Sequence, residues 1–293
     1  MATHRWQTVL AVGSALWLVA PLPALAQAVR RDAGVAGFAT NVLPANDDQY
    51  TLTSVPIGFT INFAGTNWSQ LFVNNNGNVT FGDHLGTYTP SDLTSHTGIP
   101  IIAAYFADVD TRAANSALTS YGTGTIDGHQ AFGANWFDLA TGNGVGYYNE
   151  HGDKLNIFQM ALIDRSDVAA GDFDIEFNFD RVLWETGDAS GGSNGFGGTS
   201  AAVGYSMGTG DPGSYGQLAG SLVNGALIDG GPNALVSHSQ GSDVLGRYIF
   251  NVRQGEVIVP PPVNTVPEPA SLVLFGTGLL AIGGLARKRS RTH

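Results

Sequence analysis

The sequence predicts an all-β fold: one antiparallel, β-sandwich-like domain with glycine-rich loops, plus one C-terminal transmembrane helix. Three observations carry this reading. No long stretch of the body places apolar residues at helical spacing. Short alternating or apolar runs, bounded by Gly, Asn, Asp and Pro, recur along the chain. Glycine accounts for 40 of 293 residues and charged residues for 13%, against usual shares near ~7% and ~25%. The hydrophobic share of 43% is enough for a core.

The elements follow in chain order. Leu71-Phe72-Val73 and Val79-Thr80-Phe81 flank Asn74-Asn75-Asn76-Gly77-Asn78, a hairpin in which Asn76-Gly77 would supply the positive φ angles of a tight turn. Residues 99–109 form a nearly continuous apolar run, so a strand buried on both faces is expected, and residues 155–163 read the same way. Tyr147-Tyr148 and residues 248–252 are further strands. From Asp172 to Asp180, Phe173, Ile175, Phe177 and Phe179 alternate with acidic or amide residues. Period two sends the apolar set to a core and predicts that Asp172, Asp174 and Glu176 face water. The phase breaks at apolar Val182 and Trp184, which predicts a bulge or strand end near Asp180-Arg181. Residues 187–198 read as a long glycine-rich surface loop.

Both termini read as addresses. His4 and Arg5, an apolar run over 9–20 and the small residues Ala24 and Ala26 make a signal peptide over 1–26, with the mature chain starting at Gln27. At the other end, a Pro-rich linker over 257–269 closes on Pro267-Glu268-Pro269. Residues 270–286 then run 17 positions without a charge, and a basic tail over 287–293 follows. Such a helix is about 26 Å long, slightly under the ~30 Å hydrocarbon core, and the arginines can snorkel. The tail orients it with the body outside the cytoplasm. This tripartite end resembles the PEP-CTERM sorting signal of Gram-negative bacteria. The resemblance implies an exosortase and secretion machinery as partners, cleavage near Pro267, Glu268 and Pro269, an inner-membrane-anchored intermediate, and delivery to the cell surface or matrix.

A second resemblance covers residues 99–253. Ala103-Ala104-Tyr105-Phe106-Ala107-Asp108-Val109-Asp110-Thr111-Arg112 resembles the signature strand of the nidogen-like domain. Ala134-Asn135-Trp136, Asn156-Ile157-Phe158-Gln159, Phe177-Asn178-Phe179 with Val182-Leu183-Trp184-Glu185, Ala202-Val203-Gly204-Tyr205-Ser206 and Gly246-Arg247-Tyr248-Ile249-Phe250 follow in the family's order. The domain is accordingly drawn over 27–256. The resemblance implies an extracellular module associated with cell–matrix adhesion, and no catalytic activity; with the sorting signal, the expected role is cell–matrix adhesion or exopolysaccharide/biofilm association. Its animal members carry Cys-rich neighbours; this chain has no cysteine, so their partners do not carry over.

Composition closes several function classes. Without cysteine there is no disulfide framework, Cys-ligated zinc, iron–sulfur cluster or thiol catalysis. The net charge of −11 argues against nucleic acid, and between residues 27 and 266 the 8 basic and 23 acidic side chains leave −15. Gly204-Tyr205-Ser206-Met207-Gly208, with Asp229 and His238 downstream, fits a hydrolase elbow, but Thr209-Gly210-Asp211-Pro212-Gly213 cannot form the helix that an elbow needs. Gly187-Asp188-Ala189-Ser190-Gly191-Gly192 is only a distorted serine-protease motif. The scattered histidines have no zinc spacing.

Asp108, Asp110 and Arg112 share one face of an extended strand. They read as an ion-pair cluster, or as a calcium site with Asp108 and Asp110 among its oxygen ligands; no other cofactor is expected. Three classes remain: a non-enzymatic adhesive surface protein, a calcium-assisted polysaccharide-binding module with Trp68, Trp136 or Tyr147 as exposed platforms, and a serine hydrolase using Ser206.

Overall fold

The computed structural model describes residues 27–33 and 37–258. The signal peptide with Ala24 and Ala26, the end of the linker with Pro267, Glu268 and Pro269, the expected helix 270–286 and the basic tail all lie outside the described residues. Among the described residues no helix is long and apolar enough to cross a membrane.

The chain forms strands β1 (Asn41–Val42), β2 (Val55–Phe63), β3 (Thr66–Asn74), β4 (Asn78–Thr80) and β5 (Ile101–Phe106). β6 (Val109–Asp110), β7 (Ser120–Ile126), β8 (His129–Trp136), β9 (Val145–Tyr147) and β10 (His151–Asp164) follow. β11 (Phe173–Arg181), β12 (Ala202–Ser206), β13 (Tyr215–Gln217), β14 (Arg247–Arg253) and β15 (Glu256–Ile258) complete the set, with two single 3-10 turns as the only helical elements among the described residues. One sheet runs β1-β7-β8-β10-β11-β14-β15, with β9 and β6 joined to β10; the other runs β13-β12-β5-β4-β3-β2. All of these strand pairs are antiparallel. Aromatic contacts join the inner faces of the two sheets. Tyr105 meets Phe158 at 5.3 Å, Tyr205 meets Phe250 at 5.6 Å and Phe63 meets Phe173 at 6.1 Å between ring centres.

The hairpin forms as expected but with a three-residue turn: Asn74 pairs with Asn78, and only Gly77 has positive φ. The chain can use only glycine there, because a Cβ at Gly77 would stand 1.8 Å from the Tyr105 carbonyl oxygen. The turn is fully buried, and its side chains become structural groups of the site below.

Within the apolar run over 99–109, residues 101–109 are buried and Ile99 and Pro100 half-buried, and the run is not one strand. β5 belongs to the six-stranded sheet, the chain bends at Ala107-Asp108, and β6 joins the other sheet through β9. A chain that switches sheets at a corner stays buried throughout, which explains the unbroken apolar pattern. It also places Asp108 at an interior corner.

β11 confirms the apolar phase: Phe173, Ile175 and Phe177 are 0% exposed. The expected irregularity is present, since Ile157 pairs with Arg181 while Phe158 pairs with Phe179, leaving Asp180 as the extra residue. The opposite face corrects the sequence reading. Asp172, Asp174 and Glu176 are not solvent-facing but buried, at 2%, 7% and 0% exposure. Four arginines cover them, and a fifth meets Asp180. Arg30 meets Glu176 at 2.8 Å, Arg247 meets Glu176 at 3.6 Å, Arg165 and Arg253 meet Asp174 at 2.8 and 2.7 Å, and Arg31 meets Asp180 at 3.7 Å. Asp180 Oδ1 also accepts the backbone N–H groups of Ala28 and Val29. The chain just beyond residue 26 is therefore a lid over this polar face.

Candidate functional site

The candidate site lies where four loops meet beside the Asp108 corner. The buried amide of Asn75 ties two of them together: its Nδ2 donates to the carbonyls of Asp47 and Val109, and its Oδ1 accepts from Thr119 at 3.0 Å. Asn46 shapes the preceding loop, because its Oδ1 accepts the Gln49 N–H at 2.9 Å and its carbonyl accepts the Thr111 N–H at 2.9 Å. This Asx-type turn presents Asp47 and Asp48 toward Asp108. The backbone of Asp108 accepts from Tyr148, and the Tyr148 carbonyl accepts from Asp188, which brings in the 147–150 and 187–192 loops.

Asp110 and Arg112 form the expected ion pair. Arg112 donates to Asp110 from its backbone and from Nε, both at 2.9 Å, and from its second guanidinium nitrogen. The Glu150 N–H adds a bond at 2.9 Å. Burial works against the Asp110 carboxylate, but the Arg112 and Glu150 bonds outweigh it and hold its pKa below the usual value. Arg112→Ala should lower stability by about 1–3 kcal/mol, the cost of leaving a buried acceptor short of a charged partner, read as a loss in a denaturant titration.

Asp108 does not join that pair. Its carboxylate gathers with those of Asp47 and Asp48, one oxygen from each lying within 4.8 Å of the others. Asp108 is 1% exposed, and neither of its carboxylate oxygens has a hydrogen-bond partner among the described residues; Asp47 Oδ1 is equally unpartnered. Burial, then the charges of Asp47, Asp48, Asp110 and Asp188, push the Asp108 carboxyl up to about 8. Burial and Asp48 push Asp47 up to about 6. Burial also raises Asp48, against the opposing hydrogen bond from Asn76. A surface cleft of about 570 Å³, lined among others by Asp47, Asp48, Tyr50 and Arg112, opens onto the Asp47 and Asp48 side of the cluster. Sequence reasoning found Asp108 and missed Asp47 and Asp48, whose only signal was two adjacent acids after Asn46 in a loop.

The hydrolase reading does not survive the geometry. Ser206 ends β12 inside a sheet at 0% exposure, its hydroxyl held between Thr97 at 3.3 Å and the Gly208 N–H at 3.2 Å. His238 is bound to the Ala234 carbonyl and Asp229 to the Val182 N–H, so no triad assembles. The aromatic platforms also fail. Trp136 and Tyr147 are 0% exposed. Trp136 stacks on Phe158 at 4.9 Å and donates to the Asn75 carbonyl at 2.7 Å. Half-buried Trp68 packs on Phe81 at 5.5 Å and donates to the Phe63 carbonyl. Their sequence signal was aromatic content alone, which a core uses more often than a surface.

Comparison with known proteins adds the following. The family model described as Nidogen-like domain matches residues 69–254, and the one described as PEP-CTERM protein-sorting motif matches residues 265–289. Alpha-tectorin of Mus musculus is 25% identical over 230 residues, covering 72% of this chain and 10% of that protein, and alpha-tectorin of Homo sapiens gives the same figures. Nidogen of Drosophila melanogaster is 29% identical over 126 residues, 35% of this chain and 9% of that protein. The chain thus spans about a tenth of the length of these curated relatives. No solved structure matches it.

Proposed function

The chain belongs to the nidogen-like domain family, and from that premise we propose that it is a non-enzymatic, exported protein of the cell surface or extracellular matrix, sorted by an exosortase and acting in adhesion. The observation that carries the reading is the joining of a nidogen-like domain over 69–254 to a sorting motif over 265–289 in one chain. In this reading residues 1–26 are removed on export and 27–256 form the adhesive domain. Residues 257–269 space the domain from the membrane, 270–286 anchor the intermediate, and 287–293 remain cytoplasmic until cleavage near Pro267-Glu268-Pro269. The partners are matrix polysaccharide or surface proteins.

The absence of an assembled Ser206 triad supports a binding rather than a catalytic role. The burial of Trp136 and Tyr147 means that any polysaccharide is held through polar groups and not by stacking on those rings. A strain lacking the chain should attach less well to surfaces and to matrix than its parent, and re-expression of the full chain should restore attachment. Unchanged attachment in the deletion strain would remove the adhesive part of the proposal and leave the sorting part standing.

A further inference from the structure

We propose that Asp47, Asp48 and Asp108 form a calcium site, with Asp108 as its buried floor and the 45–50 loop as its entrance. The inference does not depend on adhesion or on sorting.

Three carboxylates with oxygens within 4.8 Å of one another repel strongly in a half-buried cleft. A cluster alone would prove little, since solvent can separate exposed acids. Asp108 is different: it is 1% exposed and both its oxygens lack partners. A buried polar group without a partner is costly, and a buried charge more so. Among the described residues the nearby guanidinium of Arg112 does not resolve this, because it is committed to Asp110 and to Asp47 Oδ2 at 3.1 Å. A proton on Asp108 would remove its charge but leave its two oxygens without hydrogen-bond partners among the described residues. A cation pairs the buried carboxylate and removes the repulsion together.

The donor set selects the ion. All three groups are carboxylates, with no histidine in the cluster, which suits a hard oxygen-seeking cation and not zinc. Asp47 Oδ2 faces Arg112 and one Asp48 oxygen accepts from Asn76 at 2.9 Å. That leaves Asp108, Asp47 and Asp48 each an oxygen without a protein donor to offer the ion. Calcium takes 6–8 oxygens in irregular geometry, and water from the cleft can complete them. Close packing preserves the cradle: a Cβ at Gly187 would stand 2.3 Å from Asp108 Oδ2, so only glycine leaves room for that carboxylate.

The test is calcium uptake by the full-length chain, solubilised in detergent and stripped with EDTA, followed by equilibrium dialysis. One calcium per chain is expected, with a dissociation constant of about 10⁻⁴–10⁻³ M, the range of extracellular calcium modules. Asp211→Asn, an exposed acid on another loop, should bind as wild type does. Asp108→Asn should weaken uptake at least about tenfold, with near-UV circular dichroism confirming the fold; if that variant does not fold, the half-exposed Asp48→Asn carries the same expectation. No saturable uptake up to about 10 mM, ten times the weak end of that range, would overturn the site. Undiminished uptake in folded variants would place calcium elsewhere and overturn it equally. Preference for magnesium over calcium would overturn the choice of ion.

Discussion

Glu176→Ala should destabilise the protein by about 3–5 kcal/mol, the usual cost of breaking a buried ion pair. Glu176 is completely buried, accepts from Arg30 Nε at 2.8 Å and from Asn178 at 2.7 Å, and lies 3.6 Å from Arg247. Alanine would leave two arginines, with side chains 19% and 11% exposed, facing a void. Phe177→Ala, one residue further along the same strand, should cost a similar ~3–5 kcal/mol through cavity formation, because Phe177 is fully buried in the main core, beside Phe250 of the neighbouring strand β14. Chemical denaturation of both variants measures this directly. Comparable losses mean that both faces of β11 are buried. A loss below about 0.5 kcal/mol for Glu176→Ala, as at a surface position, would show that the arginine layer is not formed.

Asn75→Ala carries the second large effect. It removes the donor that holds the carbonyls of Asp47 and Val109 and the acceptor for Thr119, the last two bonds in the interior and the first part-buried. Each buried polar group left unpaired costs about 1–3 kcal/mol, so the total should exceed about 3 kcal/mol. The same amide ties the Asp47 loop to the Asp108 corner. Calcium affinity should therefore fall along with stability, whereas Phe177→Ala, whose side chain packs in the main core, should leave affinity unchanged at temperatures where it remains folded. Stability within about 0.5 kcal/mol of wild type in Asn75→Ala would contradict the role assigned to this residue.

The sequence made the local patterns legible. The alternation over 172–180 gave both the core face of β11 and the bulge at Asp180, since a two-residue period and its interruption are visible in one dimension. It could not give the fate of the other face: Arg30 lies 146 residues from Glu176 along the chain, and no local pattern encodes that pairing. The apolar run over 99–109 predicts one strand buried on both faces; residues 101–109 are buried, yet the bend at Ala107-Asp108 that divides them follows from the packing of two sheets and leaves no trace in hydropathy. For the same reason strand spacing groups Asp108 with Asp110, whereas the corner turns its carboxylate toward Asp47 and Asp48. Ser206, Trp136 and Tyr147 looked functional by residue type and proved to be packing groups, because motif spacing says nothing about burial.

The account stands most directly on the maturation of the chain. The measurement is mass spectrometry of both termini of the protein recovered from the cell-surface and extracellular fractions, in a strain with a working exosortase and in one without it. The account predicts a mature N-terminus at Gln27 and loss of residues 270–293 when the exosortase works, with the C-terminal segment retained in the membrane fraction when it does not. Recovery of the intact C-terminus through His293 at the surface of the exosortase-competent strain would contradict it.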